Sequence, residues 1–271
     1  MLTGSVSGDQ TNMMPDAPPT SAPAPNTSRW QWRRWGREAG AVWRGGWQRL
    51  WPRFWIIFLA CGVGAVLVLA AGPTDNTLLT ELRRPDNHSL NELAGFLSRY
   101  GDLTFGAPLA VLIWCVGVVR NKVRWRKLGL ACLMAGLMGG LIVNVFRIGT
   151  GRPRPRAAEP YGKLVDGFYG PKPWKGKYQS FPSGHACVSS TTASTLGAVS
   201  PLLILPGAVY AGSVIWSRMQ LNAHHPLDVT VGATIGTVCG LCYASTVPGA
   251  FIRLRRRRRR RPKRSQSGKP G

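Results

Sequence analysis

The sequence predicts an all-α, polytopic membrane protein built as a bundle of six transmembrane helices. Long stretches of the chain carry no charge, the basic residues gather on alternate sides of those stretches, and the few histidines sit where apolar runs end. Uncharged runs span 54–74, 103–119 and 128–146, which is 21, 17 and 19 residues. Each is near the roughly 20 apolar residues that a helix needs to cross a bilayer core. A fourth run, Ala186 to Ser217, is 32 residues long and is interrupted by Pro201 and Pro206, so it is read as two short crossings joined by a turn. The last, Val229 to Ile252, has 24 residues.

Charge fixes the expected orientation. Of 35 lysines and arginines, seven lie in 29–53, five in 120–127 and eleven from Arg253 onward. Basic residues accumulate in loops that stay in the cytoplasm, so both termini are expected there, in the cytoplasmic membrane. The formal charge of +24 and the run RLRRRRRRRPKR raise the possibility of nucleic-acid binding. Their location favours a topology signal with affinity for anionic lipid headgroups instead.

Along the chain, residues 1–28 have no Lys or Arg and five prolines, the composition of a disordered tail. Residues 29–52 are basic and Trp-rich. Trp43, Trp47, Trp51 and Trp55 recur every four residues, with Pro52 breaking the register, which suggests an interfacial helix leading into the first crossing. The six-helix domain is expected over 53–252, followed by a polybasic cytoplasmic tail over 253–271. In the first outer loop, Gly72 to Leu103, Ser89 and Glu92 make a capping-box pattern ahead of Leu90, Leu93, Phe96 and Leu97, and predict a short amphipathic helix on the membrane surface. Arg156 to Ser180 reads as an irregular loop. The six cysteines all fall inside apolar runs and read as small packing residues. Cys239 and Cys242 form a C-x-x-C that no second pair or nearby His completes as a metal set.

The chemistry concentrates in three segments. Histidines 185, 224 and 225 sit where outer segments meet apolar runs, where an ionisable group is costly unless it is paired or functional. In Pro182-Ser183-Gly184-His185 a serine and a glycine precede an apolar helix. Ser183 reads equally as an N-cap or as part of an anion site at a helix start, where Gly184 would let a phosphate approach the backbone. In GRPRP, Arg152 and Arg154 read either as a solvated basic loop or, with Arg147, as guanidiniums for a phosphoryl group; Arg218 is a further candidate. Pro226 suits a first helical turn, which makes Asp228 a first-turn acid favoured by the helix dipole. A histidine about one turn earlier could show one ring nitrogen to Asp228 and the other to a pocket.

These segments, RIGTGRPRP, PSGH and SRMQLNAHHPLD, resemble the three motifs of the type 2 phosphatidic acid phosphatases, K-x6-R-P, P-S-G-H and S-R-x5-H-x3-D. This is the lipid phosphate phosphatase branch of a superfamily shared with bacterial acid phosphatases and vanadium haloperoxidases. The resemblance covers roughly residues 50 to 250 and neither tail. Motif spacing pairs Arg147 with Arg154 and matches His224, not His225, to the nucleophile; Arg147 stands where the family usually has lysine. The resemblance implies an active site at the extracytoplasmic helix ends, attack by His224 to give a phosphohistidine, and His185 as the acid that then activates water. It also implies that Asp228 steadies His224, and that Arg147, Arg154, Arg218, Ser183 and Gly184 hold the phosphoryl oxygens. No metal or other cofactor is called for. The implied substrate is a membrane lipid phosphate: an isoprenyl diphosphate carrier, phosphatidylglycerophosphate, phosphatidate or a lipid A phosphate. A lipid phosphotransferase would use the same intermediate. A vanadate-dependent haloperoxidase fits poorly with six apolar spans, and a polybasic membrane anchor leaves the motifs unexplained.

Overall fold

The computed structural model describes residues 27–158 and 167–252, and the regular structure among these is all helical, without a strand. The helices are α1 (Thr27–Leu50), α2 (Phe54–Leu82), α3 (His88–Arg99), α4 (Leu103–Val119), α5 (Val123–Thr150), α6 (Pro155–Ala158), α7 (Gly184–Val199), α8 (Ile204–Gln220) and α9 (Pro226–Ala244). The expected N-terminal tail lies outside the described residues except for Thr27 and Ser28, which open α1. The Arg-rich C-terminal run lies outside them entirely.

Helices α2, α4, α5, α7, α8 and α9 coincide with the uncharged runs. Among the described residues four helical stretches are long and apolar enough to cross a membrane: Gln31–Ala71, Val123–Ala157, Pro201–Gln220 and Pro226–Ala244. His88–Arg99 and Leu103–Val119, bent by 49°, would together make a fifth. Helix α7 falls short because it has only 16 residues and is rich in serine and threonine, and most of it is buried against protein. Its hydroxyls fold back onto its own carbonyls, as in Thr191 Oγ1 to Cys187 O at 2.8 Å and Thr195 Oγ1 to Thr191 O at 2.7 Å. α2 instead exposes Phe58, Val66 and Leu69, as a helix against lipid would.

The first apolar helix runs further than its uncharged stretch. Ala71 departs from helical geometry at φ −131°, ψ 25°, and the helix then resumes to Leu82, carrying Asp75 inward to full burial. Helix α3 forms where expected, but its cap is Asn87, whose side chain accepts from Leu90 N at 3.0 Å. The turn at Pro85-Asp86 ends in an extended Asn87, which places Ser89 inside the first turn, where it cannot cap.

The register of α7 on α9 is set by a glycine ladder. A Cβ on Gly232 would lie 2.3 Å from Ser183 O, one on Gly236 2.1 Å from Cys187 O, and one on Gly240 2.7 Å from Thr191 O. Glycines four apart thus meet carbonyls four apart, the close approach that small-x-x-x-small patterns allow between membrane helices. One turn before Gly232 the same alignment brings Asp228 O to Ser183 N at 2.9 Å. Helix packing therefore joins the second and third motifs.

At the opposite end, the unit that begins at Arg37 clamps α1 onto α5. Arg126, 2% exposed, donates from Nε and Nη2 to the two oxygens of Glu38, each at 2.9 Å. Gly46 packs on the Tyr243 ring, so the Trp-rich segment from Arg37 onward is docked on the bundle end as well as presenting Trp51 to the surroundings. The turns before Arg37 form a separate unit, in which Trp32 and Trp35 meet edge to face at 5.0 Å.

The ladder predicts a position-specific effect. Gly236→Val should cost about 3 kcal/mol by forcing the helices apart, whereas Gly140→Val, with nothing within 4 Å of its Cβ position, should leave stability near that of the parent. Thermal unfolding midpoints in detergent test the contrast, and equal midpoints would refute the ladder.

Candidate active site

The site is built at the C-terminal ends of α5 and α8 and the N-terminal ends of α7 and α9. Helix α5 ends at Gly151, whose left-handed φ of 62° turns the chain into RPRP and whose missing Cβ leaves room for the Gly170 carbonyl. From this turn Arg152 points into the protein and is fully buried. Its Nη1 donates to Asp228 Oδ1 at 2.7 Å and its Nη2 to Asp75 Oδ2 at 2.8 Å. Asp75 Oδ1 also accepts from Leu227 N at 3.1 Å, which ties α2 to the first turn of α9. The reading of Arg152 as a solvated basic residue is therefore overturned: two buried carboxylates hold it.

The Asp228 carboxylate is closely held. Besides Arg152, it accepts at Oδ2 from Ser180 Oγ at 2.6 Å and from His225 N at 2.9 Å, with His225 Nδ1 at 3.2 Å. His225 is thus a scaffold residue at the N-cap of α9. His224 stands differently. Its Nδ1 lies 2.9 Å from Ser180 O and 3.7 Å from Asp228 Oδ2, so the carboxylate acts on the ring through charge and the carbonyl through a hydrogen bond. Direct pairing with Asp228, the simplest expectation from one-turn spacing, is displaced because Ser180 and His225 already occupy Oδ2. A carbonyl only accepts, so Nδ1 of the neutral ring carries the proton and Nε2 keeps its lone pair. Burial pushes the His224 imidazole down to about 3, against the opposing pull of Asp228.

Ser183 caps α7, its Oγ accepting weakly from Ala186 N at 3.5 Å. Gly184 opens the helix, and a Cβ there would lie 2.5 Å from Arg147 Nη2, so glycine is what lets this guanidinium approach the helix start. Arg147 Nη2 also donates to Pro182 O at 3.4 Å. Arg218, 8% exposed, donates from Nη1 to Ser98 Oγ on α3. Among the described residues, Arg147 Nε and Arg218 Nε are buried donors without an acceptor. Arg154 is half-buried, its Nε donating to Gly176 O at 3.1 Å. Burial, with the charges of Arg218, Arg147 and Arg154, pushes half-buried His185 down to about 4 against the opposing pull of Asp102, and Arg154 and Arg218 add to the downward shift of His224. The structure thus gathers the expected site residues at one end of the bundle. It adds Arg152, Asp75, Ser180 and Ser98, none of which the motif spacing selects. Among the described residues no group of three or more His, Cys, Asp or Glu is placed to hold a metal ion.

Residues 127–252 match the family model of the PAP2 superfamily, and every residue from Arg147 to Asp228 just described lies inside that match. This segment is similar to the PAP2 superfamily. It is 28% identical to an undecaprenyl-diphosphatase of Sulfolobus acidocaldarius over 190 residues, covering 68% of this chain and 86% of that protein. It is 26% identical to a lipid A 1-phosphatase of Rhizobium etli, covering 55% and 67% respectively. Against a decaprenylphosphoryl-5-phosphoribose phosphatase of Mycobacterium tuberculosis the identity is 28%, with 59% and 82% covered. The crystal structure of a transmembrane PAP2-type phosphatidylglycerolphosphate phosphatase from Bacillus subtilis superposes with a TM-score of 0.52 at 20% identity, covering 69% of this chain and 92% of that one, a likeness of fold. Asp75 and Ser98 lie outside the matched PAP2 segment and are supplied by α2 and α3.

The Asp75–Arg152–Asp228 bridge makes a stability prediction for this protein. Arg152→Leu strands two buried carboxylates and should cost about 3–5 kcal/mol. Adding Asp75→Leu should recover part of that loss, which a double-mutant cycle on unfolding in detergent would measure. Strictly additive losses would show that the two residues do not act as a pair.

Proposed function

We propose that the chain hydrolyses a lipid phosphomonoester or diphosphate through a phosphohistidine on His224. The observation that carries this reading is the Ser180 carbonyl at 2.9 Å from His224 Nδ1, which leaves Nε2 unprotonated and free to attack. In the first step the Nε2 lone pair forms a bond to phosphorus as the bond from phosphorus to the lipid oxygen breaks, and His185, kept protonated by the negative charge of the bound phosphate against its depressed pKa, gives its proton to that oxygen. In the second, neutral His185 takes a proton from water, the water oxygen bonds to phosphorus, and the N–P bond breaks to release phosphate and restore both histidines.

Arg147, Arg154 and Arg218 hold the non-bridging oxygens, with the Ser183 hydroxyl and the Gly184 N–H at the start of α7. The orphaned Nε donors of Arg147 and Arg218 are suited to this, since oxyanions would satisfy them. Phosphorylation at Nε2 turns the ring cationic, and Asp228, held in place by Arg152, stabilises that charge. The scheme calls on no metal. Its substrate is a lipid carrying a terminal phosphate. The relatives' names span prenyl diphosphates, lipid A and phosphatidylglycerophosphate, and an isoprenyl diphosphate, phosphatidylglycerophosphate, phosphatidate or lipid A phosphate all fit. The basic clusters support six crossings with both termini in the cytoplasm and the site on the outer face.

His224→Ala should abolish phosphate release from a panel of lipid phosphates in detergent, whereas His225→Ala, which keeps the backbone donor to Asp228, should retain a substantial part. Equal loss in both folded variants would contradict the assignment. Turnover should also survive chelators and be blocked by vanadate.

A depressed His224 pKa means that the nucleophile stays neutral as pH falls, down to about 3, so it does not set the acid limb of kcat/KM. Asp228→Asn removes the charge that pulls this pKa up and can only lower it further. The variant should therefore lose about 10²–10⁴-fold in kcat without moving the acid limb. A shift of that limb by about one pH unit would show His224 titrating in the working range.

A further inference from the structure

The segment Gly167 to Ser180, which enters the site from α6, contains lysines at 172, 175 and 177 and no acidic residue. Trp174 at its tip is 94% exposed. The segment is well held. Lys172 N donates to Ile148 O at 3.1 Å, Arg154 N to Lys177 O at 2.7 Å and Ser180 N to Arg152 O at 3.0 Å. Within it, Gln179 Nε2 donates to Pro173 O at 2.7 Å, and the rings of Tyr169 and Tyr178 pack 5.5 Å apart. A fixed loop that leaves its tryptophan almost wholly in the open presents an apolar ring that no element among the described residues covers, beside the cations Lys175 and Lys177, the latter 5.4 Å from the Tyr178 ring centre.

The reaction has no evident use for these cations, because Arg147, Arg154 and Arg218 already face the phosphoryl site. The loop springs from the ends of α5 and α7 at the plane where the apolar lengths of the bundle stop. An amphipathic indole is at home there, and a lysine beside it meets anionic headgroups. We propose that residues 172–177 form a docking surface for anionic phospholipid headgroups at the rim of the site, with Trp174 seated at headgroup level and Lys175 and Lys177 meeting lipid phosphates. This surface lies at the opposite end of the bundle from the basic residues of 37–53 and 120–127, and it rests on the membrane reading but not on the catalytic scheme. Through the backbone bonds of Gly176 and Lys177 to Arg154, it would also hold the site against the lipid surface from which the substrate comes.

The test is a fluorescence measurement that does not require turnover. Full-length protein carrying Cys115→Ser and Pro173→Cys, labelled at position 173 with an environment-sensitive dye, is reconstituted in phosphatidylcholine vesicles with or without about 30% phosphatidylglycerol. A headgroup spin-labelled lipid should quench the dye and aqueous iodide should not, with lipid quenching roughly doubled by phosphatidylglycerol at low salt and the increment lost at high salt. Lys175→Gln with Lys177→Gln should abolish the increment, and Trp174→Ala should weaken quenching in both vesicles, with unfolding midpoints unchanged. Iodide quenching with no lipid quenching would overturn the docking surface. Quenching indifferent to phosphatidylglycerol, or unchanged in the double lysine variant, would overturn its anionic partner. Failure to release phosphate from any lipid would instead count against the catalytic reading alone.

Discussion

The site depends on one buried cation. Arg152 has no exposed surface, and its guanidinium spans from Asp75 on α2 to Asp228 on α9. Two carboxylates and one guanidinium leave the cluster with net negative charge, which burial would penalise heavily without the further donors from Ser180, His225 and Leu227. What this arrangement secures is position. With Asp228 Oδ2 taken up by Ser180 Oγ and the His225 backbone, the His224 ring turns to the Ser180 carbonyl, and that contact sets the tautomer. The proposed nucleophile is thus oriented by a backbone group, and the carboxylate supplies charge from slightly further off.

Helix packing brings the rest of the machinery to this cluster. The glycines at 232, 236 and 240 let α9 approach α7 until carbonyls fill the space of side chains, and the same register joins Asp228 O to Ser183 N. Arg147 reaches the start of α7 because Gly184 lacks a Cβ. Arg218 is braced by Ser98 on the surface helix α3, and Gln220, two residues on, binds Arg84 and Asn91 and so fastens that helix to the end of α8. The proposed phosphate site is therefore held from outside as well as from within the segment that matches the family.

Much of this was legible in the sequence because it is local. Absence of charge marked each long apolar helix, since a charge in hydrocarbon is costly whatever its neighbours. The Arg218–His224–Asp228 spacing placed those three at one helix end because a turn and a helix start fix geometry over a few residues. What was not legible was long-range. Asp75 looked like the end of an apolar run, since only the resumed helix beyond Ala71 carries it inward. Arg152 was passed over because motif spacing selects Arg154, and nothing near Arg152 in sequence announces its partners 76 and 77 residues away. Ser180 carries its message in a carbonyl, which every residue has. The glycine ladder was open to view as a four-residue repeat, but the carbonyls it meets belong to another helix. At α3 the local rule itself misled, because Asn87 caps where Ser89 and Glu92 offered the more familiar pattern.

The central claim is that His224 reacts through Nε2 because the Ser180 carbonyl holds the proton on Nδ1. It is tested most directly by quenching the enzyme with a ³²P-labelled lipid phosphate during the first turnover and mapping the acid-labile, alkali-stable phosphoenzyme by mass spectrometry and ³¹P NMR. The structure predicts one phosphoryl group, on Nε2 of His224. Phosphate on Nδ1, on another residue, or a first turnover that releases phosphate with no labelled enzyme would contradict it.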